Sequence, residues 1–95
     1  MFIVFLRFSN NRGRARELMP GHDEWIKCGI DQGVFLLVGS LQPQAGGMIL
    51  AHNTTRSELE ARVNQDPFVA NDVVSAELLE VSCSKADPRL GFLLS

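Results

Sequence analysis

An α+β sandwich, with one four-stranded sheet under a layer of two helices, is predicted by three features of this 95-residue chain. Apolar runs at Phe2–Phe8, Val34–Leu41, Gly46–His52 and Val73–Cys83 read as strands. Helical segments fill the gaps between the first and second runs and between the third and fourth. The link from Gln42 to Ala45 is so short that the second and third strands must be antiparallel. The resulting β-α-β-β-α-β order is the split pattern of a ferredoxin-like fold, and its two strand-helix-strand halves leave a weak internal repeat.

Each element has its own local signal. Phe2–Phe8 is apolar on both faces, as an interior strand covered on two sides would be, and Ser9-Asn10-Asn11 turns the chain. Asn11 to Gln32 is helical in tendency, but Pro20 suits a first turn better than a helix interior. The expectation is a short helix or turn through Met19, then a main helix from about Pro20 to Gln32. Trp25, Ile26 and Ile30 would face inward, with Asp23, Glu24, Lys27 and Asp31 in water. Gly33 would close the helix in the left-handed conformation.

In the second half, Pro43 prevents continued regular pairing between the two middle strands. Thr55-Arg56-Ser57-Glu58 matches a capping box that opens a helix running through Leu59 and Val63. Asp66-Pro67-Phe68 reads as a fresh helical turn capped by the aspartate. Asp87-Pro88 starts an irregular tail that carries Leu90, Phe92, Leu93 and Leu94.

Composition narrows the classes. Residues 1–95 form a single domain, long enough to build a core without metals or disulfides. A net charge of -2 argues against nucleic acid as a partner, because phosphate neutralisation needs a basic surface. The opening MFIVFLRF is too short for the apolar part of a secretory leader, and no run approaches the ~18 apolar residues of a membrane span. A cytoplasmic protein with no membrane association is expected. Cys28 and Cys83 lack metal-type spacing and are expected to be free, partly buried thiols.

Two helices cover one face of a four-stranded sheet, yet Phe2–Phe8 and Val34–Leu41 are apolar on both. The uncovered face must meet something, and a second copy of the same sheet is the simplest candidate. A homodimer through sheet faces is therefore expected.

The chemistry-bearing residues are few. His22 is either an inert histidine at a helix start or a general acid or base, since an imidazole exchanges protons near neutral pH. Asp66 caps its turn, and it could also orient an imidazole and balance its charge. His52 sits at a strand end, and the two histidines lack the spacing of a helical metal pair, so no metal is expected. The segment Gly39 to Gly47 offers backbone amides, the Ser40 hydroxyl and two carboxamides, but no phosphate-loop spacing. Arg7, Arg12, Arg14 and Arg16 form either a solvated basic face or an attraction for an anionic substrate.

Three blocks, HDEWI, GVFLLVGSLQPQAGGMIL and DPFVANDVV, resemble the YCII-related (YciI-like) proteins, with similarity from MFIVFLRF to KADPRL. The resemblance implies the dimeric α+β barrel form of the ferredoxin-like fold. It also implies a histidine-aspartate pair in a pocket between helices and sheet, falling here on His22 and Asp66. The family's serine or glycine after the second strand falls on Ser40, and its glycine pair on Gly46 and Gly47. Arg7 and Phe68 complete the substrate-binding expectation. One member type is similar to a dehydrochlorinase of chlorinated aromatics. The arginine-rich start of the first helical segment and the absence of tyrosine are departures from the family pattern.

The expectation for function is a small cofactor-free lyase or isomerase acting on a small organic acid or ring compound. His22 would move a proton, Asp66 would hold its tautomer, and Ser40 with the amides near Gly46 and Gly47 would receive negative charge. Two rivals share the fold: a ligand-binding or sensing module, and a subunit that supports a partner enzyme.

Overall fold

The first strand, β1 (Phe2–Phe8), is the pivot of the sheet in the computed structural model, which describes residues 1–94. It pairs antiparallel with β3 (Gly46–Ala51) on one side and with β4 (Val74–Glu80) on the other. The outer strand β2 (Phe35–Leu41) pairs antiparallel with β3, giving the order β2-β3-β1-β4. Helix α1 (Ala15–Asp31) connects β1 to β2, while α2 (Arg56–Asn64) and the short α3 (Pro67–Ala70) connect β3 to β4. This is the ferredoxin-like α+β fold. Among the described residues no helix is long and apolar enough to cross a membrane.

Register decides which side chains meet the helices. Phe2, Val4, Leu6 and Phe8 align with Ala51, Ile49, Gly47 and, on β4, Leu78, Ala76 and Val74, and this face packs under the helices. Val4, Ile49, Ala51, Leu59 and Val73 are fully buried at the centre. The opposite face carries Ile3, Phe5, Leu37, Leu41, Met48, Leu50 and Leu79, crossed by one Arg7–Glu77 ion pair. Among the described residues neither α1 nor α2 covers that face, and Leu37 and Leu79 stand exposed upon it.

Three differences from the sequence reading have physical causes. Helix α1 is not interrupted at Pro20 but runs through it from Ala15 to Asp31. The ring removes one helical bond to the carbonyl of Arg16, and both residues are exposed, so water can take that carbonyl. Burial of Trp25 and Gly29, with half-buried Leu18, His22 and Ile26, holds the helix on the sheet. Ile30, expected inside, is 48% exposed, and Gly29 takes the inward position against the ring of Phe35. Gly33 does end the helix at φ +76.

The second difference is a bulge in β2. Phe35 aligns with Ala51 but Leu37 aligns with Leu50, so Leu36 is an extra residue. Beyond it the alternation is inverted: Val38 and Ser40 share the helix-facing side of Ile49 and Gly47. Val34 lies before the strand, buried, with its N–H donated to the Gly29 carbonyl. The third concerns the end of the last strand. β4 stops at Glu80, opposite Phe2, so Cys83 lies outside it in an isolated bridge to Leu94. The tail forms 3-10 turns over Pro88–Leu93, capped by Asp87, and Phe92 stacks edge-on to His52. Neither cysteine is bridged, and Cys28 is exposed rather than partly buried.

Candidate active site

α1 and α3 converge where Gly21 meets Pro67. A Cβ at Gly21 would lie 3.2 Å from Pro67 Cγ, so the missing side chain lets the helices approach. The next residue, His22, then reaches Asp66, with Nδ1 2.7 Å from Oδ1. Asp66 is fully buried and caps α3, accepting the Phe68 amide at 3.0 Å on the same oxygen. Its Oδ2 is buried with no partner among the described residues.

The imidazole is also held by aromatic packing. Its ring lies parallel to Phe68 at 4.0 Å between centroids, and Trp25 stands 6.0 Å away on the other turn of α1. Trp25 is itself fixed, edge-on to Phe35 and donating Nε1–H to the Arg62 carbonyl at 2.9 Å. The His22 side chain keeps 12% exposure against none for Asp66, so the carboxylate is shielded behind the ring. An ionised carboxylate has only acceptors, so it directs the proton to Nδ1 and leaves the Nε2 lone pair free.

In front of the ring is a pocket of about 290 Å³. Leu6, Phe8, Ile49 and Val74 form its floor, Met19, His22, Asp23 and Ile26 of α1 one wall, and Phe68 another. Ser40, Val38 and the glycines 39, 46 and 47 also line it. The Ser40 side chain makes no hydrogen bond to another described residue and lines this space.

The structure thus brings His22, Asp66, Ser40, Gly46, Gly47 and Phe68 together, and separates Arg7 from them. Arg7 is on the opposite sheet face, 2.8 Å from Glu77 and over the Phe5 ring, because β1 alternates and Leu6 and Phe8 take the helix side. Gly46 and Gly47 also differ from expectation in what they offer. Both lie in an interior strand with partners on each side, so their amides belong to the ladder. Their contribution is room. At Gly46, with φ +127, a Cβ would collide with the Leu6 carbonyl; at Gly47 the bare backbone opens the pocket floor.

Met19, Phe8 and Ile26 were not singled out by sequence as pocket residues. Met19 and Ile26 are three before and four after His22, the spacing that shares a helix face, so that signal was present. Of the basic group, Arg14 pairs with Glu17 and Arg16 is exposed on α1. Arg12 alone lies against a residue of the pocket floor, its guanidinium 4.1 Å from the Phe8 ring centroid.

No family model matches the chain, and no curated protein matches it. A solved structure is similar in fold: 5-chloro-2-hydroxyhydroquinone dehydrochlorinase (TftG) from Burkholderia phenoliruptrix AC1100, in complex with 2,5-dihydroxybenzoquinone. The TM-score is 0.70 at 10% identity, covering 88% of this chain and 96% of that one.

Proposed function

We propose that the chain is a small cofactor-free enzyme of lyase or isomerase type, a YCII-related protein that works as a cytoplasmic homodimer. The observation that carries this reading is a half-buried imidazole whose Nδ1 is held by a wholly buried carboxylate beside an apolar pocket. His22 Nε2 takes a proton from a hydroxyl or from carbon next to a carbonyl. Asp66 holds the tautomer and balances the charge that the ring acquires. Ser40 donates to the oxygen where negative charge develops.

The same proton removal serves two outcomes. If the electron pair shifts within the substrate and the proton returns elsewhere, the product is an isomer. If the pair expels chloride from an adjacent carbon, the products are the unsaturated ring compound, chloride and the proton on His22. Neither needs an oxidant. The likeness to a dehydrochlorinase fold supports including the second outcome. The apolar outer face of the sheet supports the dimer of α+β barrel type.

A turnover screen with chlorinated hydroquinones, lactones and keto acids, read by chloride release and absorbance, tests the proposal. His22→Ala should lower any activity by about 10²–10⁴-fold. Binding without turnover across the screen, or full activity in His22→Ala, would instead favour a ligand-binding module.

A further inference from the structure

We propose that Arg12 is the specificity-determining residue of the pocket, holding the carboxylate of a ring-bearing acid at its mouth; this rests on the pocket being a substrate site. Arg12 pairs with no carboxylate among the described residues, whereas Arg7 and Arg14 on the same stretch are each matched to an acid. It is nonetheless fixed on two sides. The guanidinium lies over Phe8, a pocket residue, and Nη2 donates to the Gln44 carbonyl at 3.2 Å, in the turn just before Gly46. A guanidinium has five N–H donors, so this single bond leaves most of the fork unused.

A cation stacked, oriented and unpaired beside a pocket is arranged for a planar anion, and carboxylates match the fork with two parallel bonds. The rest of the pocket selects what the carboxylate is attached to. Leu6, Phe8, Ile26 and Phe68 present apolar and aromatic surface suited to a ring. Asp23, the acidic side chain of the pocket lining, repels an anion on the α1 side and so favours the orientation with the carboxylate at Arg12. His22 then faces the ring rather than the acid group.

Binding of 2,5-dihydroxybenzoate and of 2,5-dihydroxybenzamide, followed by NMR titration at fixed ionic strength, tests this. The wild type should bind the acid about tenfold more tightly than the amide, the scale of one charge-assisted contact. Arg12→Gln should abolish that preference while leaving amide affinity unchanged. Arg16→Gln, which removes the same charge from a solvated position, should keep the preference. His22→Ala should also keep it, so a failure of the proton-transfer reading would leave this result readable. Retained preference in Arg12→Gln, equal losses in Arg12→Gln and Arg16→Gln, no preference in the wild type, or no binding of either compound would each overturn the proposal.

Discussion

Gly29 and Phe35 are in direct contact: the phenyl ring fills the space that a side chain on the helix would need. The contact seats α1 on the sheet one turn past Trp25, whose indole meets the same ring edge-on at 5.1 Å. Two opposing effects therefore act on Gly29→Ala. Alanine gains about 0.8–1 kcal/mol in helix propensity, but overpacking a filled core site costs about 1–3 kcal/mol. The second should win. Urea denaturation should show a lower midpoint for Gly29→Ala, partly restored by adding Phe35→Leu; a raised midpoint would mean that the ring yields freely.

Helix α2 should weaken in acid through its capping box. The Thr55 amide donates to Glu58 Oε1 at 3.0 Å and, with the nearby Thr55 side chain, holds the Glu58 carboxyl below its ordinary value of 4.5, while the Thr55 hydroxyl accepts the Glu58 backbone amide at 3.2 Å. A depressed folded value contributes stability above the unfolded one, and that contribution is lost as pH falls through the folded value. The stability difference between wild type and Glu58→Gln should therefore favour wild type at neutral pH and shrink as the pH falls below the ordinary carboxyl value and through the lower folded one. A difference that stays constant with pH would show that the carboxylate form of Glu58 contributes nothing.

Much of this architecture is legible in the sequence because its signals are local. The capping box, the Asp66 cap with Pro67 behind it, and the glycine at the end of α1 each act within a few residues. The two halves of the dyad could be named because their residue types are scarce and the family resemblance pointed to them. What was hidden depends on contacts between distant segments. Nothing in Phe35-Leu36-Leu37-Val38 marks the bulge, yet the bulge turns Ser40 toward the pocket. The continuity of α1 through Pro20 depends on packing that outweighs one lost bond. Arg7 was misplaced because β1 is apolar on both faces and its charge alone does not reveal its side.

Assembly is the next expectation. Ile3, Phe5, Leu50 and Leu79 line up across three strands of the uncovered face, and a second copy would remove them from water. Sedimentation equilibrium at micromolar concentration should give twice the chain mass, and Phe5→Glu should shift it to a monomer. A wild-type monomer would leave the face to another partner and remove the barrel form.

The dyad geometry requires one proton to be in one place. With Nδ1 2.7 Å from a carboxylate oxygen that also accepts the Phe68 amide, the neutral ring of His22 should carry its hydrogen on Nδ1. Free imidazole side chains favour the other nitrogen, so His52, edge-on to Phe92 and with no carboxylate bonded to it among the described residues, serves as the internal reference. Long-range ¹⁵N–¹H correlation spectra in alkaline buffer distinguish the two tautomers directly. The Nδ1–H form at His22, lost in Asp66→Leu, is the predicted result, and it leaves the Nε2 lone pair free for the base role proposed for it. An Nε2–H ring in the wild-type protein would contradict it, because the atom assigned to take the substrate's proton would already be occupied.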